Sequence, residues 1–326
     1  MSRLARRASV LAYTGGWAVV RRLPEPVAYG LFRAGADLVW RRRGKGVHRL
    51  EANLARVRPG LDQAGLRALS RAGMRSYLRY WCDAFRLPTW SRERLLATVR
   101  VEGDGPVRAE LDAGRGVVMA LGHQGNWDHA GAWSALALAR VTTVAERLEP
   151  EEVFSAFLAF RERLGMEILP LDGGPPVFPT LLRRLRDGAF VPLLADRDLT
   201  ASGVQVDLFG HPARIAAGPA TLALTAGVAL HPVSIWYERL GRGAPARWGI
   251  VIHFHPRVEV PEQGDRAAKV AAMSQACADA LAAGIAAHPE DWHMLQRVFV
   301  ADLDPARGPA GGPARTPDPD AAGSTA

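Results

Sequence analysis

The chain has little cysteine, Cys82 and Cys277 being its only two in 326 residues. Two thiols so far apart exclude a disulfide framework and a Cys/His metal knuckle, so buried free thiols in a reducing compartment are the expectation. The sequence also lacks GxGxxG, a P-loop and GxSxG, which removes the commonest dinucleotide, nucleotide-phosphate and serine-hydrolase signatures. HExxH is missing too, and His129, His211, His231, His253, His255, His288 and His293 are scattered without ligand spacing, so no metal and no cofactor are expected. The N-terminal region has no apolar run approaching the roughly 20 residues a bilayer crossing needs. Its longest, over residues 10–20, is broken by Thr14, Gly15 and Gly16. No small-residue cleavage site precedes Arg21 and Arg22, so a secretory leader is not expected.

What is there is a chain of 48% hydrophobic composition, long enough to bury a large core, with a net charge of +8. The charge is concentrated at one end. Residues 1–50 hold eleven Arg or Lys against Glu25 and Asp37, whereas the remainder holds thirty bases and thirty-one acids. A local basic footprint of this kind suits an anionic membrane surface or a nucleic acid. The membrane is favoured, because Leu4, Ala8, Leu11, Gly15, Ala18 and Val19 follow a helical period between arginine clusters, and Val27, Leu31, Ala34, Leu38 and Val39 form a second stripe after Pro24 and Pro26. Trp17 and Trp40 suit headgroup depth, and the aromatic-basic interleaving of single-strand nucleic-acid binders is absent. The plainer reading is that both helices pack on a core and turn their arginines to water. Residues 1–90 read as a wholly helical, membrane-associating segment, residues 91–300 as the core, and residues 301–326, rich in Pro, Gly, Ala and Asp, as a disordered tail.

After Pro88 short apolar runs alternate with helical stretches. Strands are predicted over 99–102, 117–121, 141–145, 166–170, 189–195, 204–209, 228–237 and 248–255. Helices are predicted over 106–113, 126–139, 150–164, 177–186, 216–226 and 266–288. The alternation predicts an α/β fold, a central mainly parallel sheet covered by helices, with functional groups gathered at the carboxyl ends of its strands.

Three polar clusters fall at such ends. The first lies in residues 116–131, GVVMALGHQGNWDHAG, where a buried strand meets a helix capped by Asn126. It holds His123 in the turn and Asp128 in the first helical turn, a spacing from which the carboxylate can lean back to fix the imidazole as a general base. The second is Glu146 and Arg147, followed by a helix carrying Arg161; the third is Asp196, Arg197 and Asp198. A charged loop at a strand end is most often a solvated turn, and it is the repetition at one sheet edge that points to a cleft. Backbone N–H groups at Asn126 or Trp127 are candidates to receive an oxyanion.

The spacing His123-x4-Asp128 resembles the HX4D signature of glycerolipid acyltransferases. With GHQGNWDHAG at 122–131, ERLEPE at 146–151, LADRDL at 194–199, VDLFG at 206–210 and PEDWHM at 289–294, residues 5–300 resemble the bacterial lipid A lauroyltransferase-like acyltransferase superfamily. Within it the similarity is greatest to the phosphatidylinositol mannoside acyltransferases. The resemblance implies transfer of a fatty acyl group, usually palmitoyl, from acyl-CoA as co-substrate to the 6-hydroxyl of the inositol 2-linked mannose of a phosphatidylinositol mannoside. It also implies a peripheral, monotopic enzyme on the cytoplasmic face of the cell membrane; a monomer is the expected state. Carried over, His123 is the base, Asp128 the signature carboxylate, and Asp196 stands where the family often has a glutamate that relays to the histidine. Which of the two carboxylates orients His123 stays open at this level. Gln124, Asn126, Trp127, Glu146, Arg147, Arg161, Arg197 and Asp198 form the expected substrate-binding set. Competing readings are an acyltransferase for another acceptor, such as a lysophospholipid or a lipid A-like glycolipid, a non-catalytic anionic-lipid binder, and a metal-dependent hydrolase using His123, Asp128 and His129.

Overall fold

A computed structural model describes residues 15–145, 151–171, 176–198 and 203–303. The chain opens on helices: α1 (residues 15–22), α2 (Glu25–Arg42), α3 (Lys45–Val57) and α4 (Gln63–Arg86), with a short α5 (Arg92–Ala97) before the first strand. Asp62 and Ser91 cap α4 and α5 by accepting from amides three residues on, Gly65 N and Arg94 N. Arg86 Nη1 donates to the carbonyls of Val20 and Leu23 (2.8 and 2.7 Å), satisfying the otherwise orphaned end of α1. Residues 1–14, with the apolar positions Leu4, Ala8 and Leu11, and residues 304–326 lie outside the described residues.

The core alternates β1 (Val99–Glu102), α6 (Gly105–Asp112), β2 (Val117–Leu121), α7 (Trp127–Ala137), β3 (Val141–Ala145), α8 (Glu151–Arg163), β4 (Met166–Pro170), α9 (Val177–Arg186) and β5 (Phe190–Leu194). A hairpin, β6 (Val204–Leu208) and β7 (His211–Ile215), precedes α10 (Gly218–Ala226), β8 (Ala229–Arg239), β9 (Trp248–Phe254) and α11 (Arg266–Ala287). The seven-stranded sheet runs β1-β9-β8-β2-β5-β3-β4, and only its β8–β9 ladder is antiparallel. This is the mainly parallel α/β sheet that the sequence predicts. Two elements differ. The predicted strand at 204–209 is not in that sheet but pairs with β7, a strand hidden from the periodicity by Pro212, and α5 is a single short helix within what reads as a connection.

The parallel strands are buried on both faces because helices cover both. Val117 and Met119 of β2 face Val107, Ala130 and Trp133 of α6 and α7, while Val118 and Ala120 face Leu185, Leu222, Met273 and Cys277 of α9, α10 and α11. Cys82 and Cys277 are free and buried, and burial pushes the Cys277 thiol up to about 12. Among the described residues one helix, Arg266–Ala287, is long and apolar enough to cross a membrane by length and composition, yet Val270, Met273, Cys277 and Leu281 seat it in the core.

The N-terminal helices face two ways. On its inner side α2 presents Ala28 and Ala36, sets Phe32 edge-on to Phe85 at 6.1 Å, and sends Asp37 between Arg71 and Arg75 of α4 (2.6–2.9 Å). Val27, Leu31, Leu38 and Val39 are left 47, 58, 49 and 42% exposed. The stripe that reads as apolar in sequence therefore points outward, and the buried face is the small and polar one. Core contact alone does not explain such a stripe.

Close packing of α9 on the sheet entry depends on Gly116, where an added Cβ would meet the Leu185 carbonyl at 2.3 Å and its Cα at 2.8 Å. Backbone cannot yield as a flexible side chain would. Gly116→Ala is expected to lower unfolding free energy by about 1–3 kcal/mol, read as an earlier midpoint in urea denaturation followed by circular dichroism.

Candidate active site

β2 and β5 are parallel neighbours in a register that sets Leu121 opposite Leu194, so the loops that leave them emerge side by side. This brings His123 and Asp196, 73 residues apart, into contact. His123 Nδ1 lies 2.6 Å from Asp196 Oδ1, and the His123 amide donates to Asp196 Oδ2 at 2.9 Å. The indole of Trp292 donates to the same Oδ2 at 2.9 Å. A carboxylate against Nδ1 puts the ring proton there and leaves Nε2 with its lone pair directed away. The His123 side chain is 25% exposed and that of Asp196 only 2%, so the imidazole forms the wet end of a buried pair.

Burial alone would raise the Asp196 pKa. The facing His123 ring, then the indole and amide donors, outweigh it and hold the carboxyl below the usual range. Asp196 thus remains an acceptor that can stabilise an imidazolium on His123.

Asp128 does something else. It is 2% exposed, accepts from Tyr80 of α4 at 2.9 Å and forms an ion pair with Arg161 of α8 at 2.7 Å. Burial would lower the Arg161 pKa, but the Asp128 carboxylate more than offsets this and raises it. Of the two carboxylates left open by the sequence, Asp196 contacts the imidazole, while Asp128 clamps α4, α7 and α8 together. Trp127 bridges the two arrangements, its ring 4.1 Å from Tyr80 and 5.7 Å, edge-on, from His123.

The remaining expected substrate contacts divide. Gln124 is 1% exposed and donates to the Gly284 carbonyl at 3.0 Å, and its backbone bridges to Trp292, so it is turned into the protein instead of toward a substrate. Asn126 is fully buried and accepts from His129 N at 2.9 Å, the capping role the sequence assigns to it, with no side chain left for an acceptor. Arg197 and Asp198 sit half-buried directly beyond Asp196, the Asp198 amide bonded to the Arg214 carbonyl at 2.9 Å. Glu146 and Arg147 lie outside the described residues. His129 is buried against Thr98 and Trp90, and burial lowers its pKa to about 3. Among the described residues no group of three or more His, Cys, Asp or Glu could hold a metal ion, so the donor set for the metal-hydrolase reading is not assembled.

The sequence reading missed the strap 291–293. Its His293 amide donates to the His123 carbonyl at 2.7 Å, and the Gly125 amide donates to the Asp291 carbonyl at 2.9 Å. Gly125 has φ +61°, and a Cβ there would meet the Ile235 carbonyl at 2.5 Å, so both backbone conformation and space require glycine. The Ser76 hydroxyl donates to Asp291 and therefore accepts from His293 Nε2 at 2.9 Å, leaving His293 Nδ1 buried without a partner. Burial, with Arg79 and His123 adding like charge, lowers the His293 pKa to about 3. PEDWHM is visible in the sequence as a shared motif, but nothing local says that its tryptophan reaches Asp196.

Residues 1–300 match the family model described as bacterial lipid A biosynthesis acyltransferase, and the chain belongs to that family of acyltransferases. The chain is 46% identical over 300 residues to the phosphatidylinositol mannoside acyltransferase of Mycolicibacterium smegmatis, a match covering 91% of this chain and 93% of the relative. It is 44% identical over 309 residues to the phosphatidylinositol mannoside acyltransferase of Mycobacterium tuberculosis, covering 94% and 93%.

Trp292→Phe keeps an aromatic ring, though a smaller one at a fully buried position, and removes the third donor from Asp196, so folding is checked by circular dichroism alongside the kinetics. Because native Asp196 is held low, its stabilising charge is present above the ordinary carboxylate pKa and lost as pH falls through the depressed one. Without the indole the carboxyl protonates at higher pH. The acid limb of the pH–activity profile is expected to move upward and kcat to fall about tenfold, the scale of one charged hydrogen bond; an unchanged kcat and an unmoved limb would deny the indole a role.

Proposed function

We propose that this protein transfers a fatty acyl group, palmitoyl in the first instance, from acyl-CoA to the 6-hydroxyl of the inositol 2-linked mannose of phosphatidylinositol mannosides, with His123 as general base. The observation that carries the mechanism is the Asp196–His123 contact at 2.6 Å, made through Nδ1 of a ring that is 25% exposed. The choice of acceptor is supported by relatives of that name at 44–46% identity over nearly the whole chain.

In this mechanism Nε2 takes the proton of the mannose hydroxyl as its oxygen attacks the thioester carbon. The carbonyl π electrons move onto oxygen, giving a tetrahedral oxyanion. Collapse then breaks the C–S bond, and the imidazolium returns its proton to the departing thiolate, so that ester and free CoA result with no covalent enzyme intermediate. Asp196 stabilises the imidazolium between the two proton transfers. The Asn126 and Trp127 amides, at the start of α7, are the donors suited to the oxyanion.

The working position is the cytoplasmic membrane face. Support comes from the outward stripe of α2, whose Val27, Leu31 and Leu38 are about half exposed, and from the basic residues concentrated in residues 1–50. Apolar side chains at headgroup depth, with arginines around them, suit an enzyme whose acceptor is itself a lipid.

With purified protein, labelled palmitoyl-CoA and a panel of phosphatidylinositol mannosides, lysophospholipids and lipid A precursors, label is expected in the mannosides. His123→Ala is expected to lower that transfer by about 10²-fold or more. Retention of more than a tenth of the rate would remove His123 as base, and preferential labelling of a lysophospholipid would replace the acceptor. Leu31→Asp with Leu38→Asp is expected to cut sedimentation with anionic vesicles at least tenfold while transfer to detergent-dispersed acceptor stays within twofold. Unimpaired sedimentation would mean that α2 is not the membrane contact.

A further inference from the structure

Apart from the dyad, α1 and α8 form an open surface cavity of about 230 Å³ lined by Trp17, Ala18, Arg21, Ala156, Ala159 and the exposed Arg163. Its chemistry is divided. The alanines and the indole make an apolar floor, and the two guanidinium groups make a cationic rim.

Arg21 is fixed in place: its Nε donates to the Phe85 carbonyl at 3.0 Å and its guanidinium lies 4.8 Å from the centre of the Trp17 ring. Trp17 is itself held by its indole N–H on the same carbonyl at 2.8 Å. The terminal nitrogens of Arg21 are thereby left for something else. Among the described residues neither Arg21 nor Arg163 forms an ion pair, in a protein whose other arginines near a cleft, such as Arg161 and Arg184, have carboxylate partners. The two cations also feel one another, for burial and then the charge of Arg163 lower the Arg21 pKa. Like charges brought together without an acid are relieved by a bound anion.

Position narrows the anion. Arg163 is exposed on α8, and α1 carries Val19, 57% exposed, on the outward side. The cavity thus opens at the surface beside the outer helices. An inorganic anion would satisfy the rim and leave the alanine floor unused. A glycerophospholipid satisfies both, since Arg forks match phosphate oxygens and glycerol and first acyl carbons cover apolar wall.

We propose that Arg21 and Arg163 bind the phosphodiester of a glycerophospholipid, with its glycerol and proximal acyl carbons over Ala18, Ala156 and Ala159. The inference rests on the membrane-surface reading of the enzyme but not on its choice of acyl acceptor.

The test is isothermal titration of the full chain with dihexanoyl-phosphatidylinositol below its micellar concentration, for wild type, Arg163→Ala and Arg163→Lys, with folding checked by circular dichroism. Wild type is expected to bind, Arg163→Ala to bind about tenfold or more weakly, and Arg163→Lys to fall between them. Dihexanoylglycerol, which lacks phosphate, and inorganic phosphate, which lacks the apolar part, are expected to bind far more weakly than the phospholipid. Equal affinity in wild type and Arg163→Ala, or equal affinity for dihexanoylglycerol or inorganic phosphate, would overturn the site. Dihexanoyl-phosphatidylglycerol separates the two lipid sources: a preference for the inositol lipid marks the acceptor's own phosphate, and equal binding marks bulk lipid, either result supporting a phosphodiester site. Because binding is read without turnover, loss of acyl transfer to mannosides with binding intact would count against the proposed reaction and not against this site.

Discussion

The arrangement around the active site depends on one buried carboxylate. Asp196 is almost without solvent, and its charge is tolerable only because an imidazole, a backbone amide and an indole all point at it. The donors come from two distant parts of the chain, two from His123 and one from Trp292. The parallel register of β2 and β5 delivers the loop with His123, the segment after α11 delivers Trp292, and neither contact survives a slip of the other element. The generic architecture, strands in parallel with helices on both faces, is what makes this local convergence reproducible.

The same logic recurs one layer out. Asp128 joins α4, α7 and α8 through Tyr80 and Arg161, and Asp83 of α4 accepts from Tyr237 of β8 at 2.9 Å and from Tyr29 of α2. Asp291 ties Ser76 of α4 to the Tyr237 amide. Burial raises the Asp83 and Asp291 pKa values to about 6, whereas Asp196 stays low. Carboxyls of similar burial thus differ by the groups around them: without a facing imidazole burial prevails at Asp83 and Asp291, and the contact with His123 holds Asp196 low. Helix α4 belongs to the active-site support as much as to the N-terminal helical region in which its sequence places it.

Much of this was legible in the chain. Short apolar runs ending in polar clusters at Leu121 and Leu194 were enough to predict parallel strands and to place His123 and Asp196 at one edge, because a strand buried on both faces leaves a continuous apolar signature. Choosing between Asp128 and Asp196 was beyond it. The short spacing from His123 to Asp128 favours the near carboxylate, but its first helical turn faces Tyr80 and Arg161, and helix phase relative to distant elements has no local signal. For the same reason Gln124, polar and beside His123, reads as a substrate contact although its partner is a carbonyl of α11. The β6–β7 hairpin was half legible, since Pro212 masks one strand's pattern while Val204 and Val206 reveal the other's. The stripe on α2 was read correctly as apolar, but which way it turned depended on Asp37 and Tyr29 finding partners on α4.

That inversion has a consequence for encounter kinetics. Tyr29 on the inner face of α2 meets Asp83, and Asp83 also receives Tyr237, whose strand packs against the catalytic loop at Gly125. Helix and loop therefore turn as one body. On a bilayer, a helix lying flat with Leu31 and Leu38 immersed would fix the tilt of that body as well as its depth. An acceptor diffusing in the leaflet would then meet a catalyst that has already surrendered two rotational freedoms, and the search for a reactive pose would become a planar one.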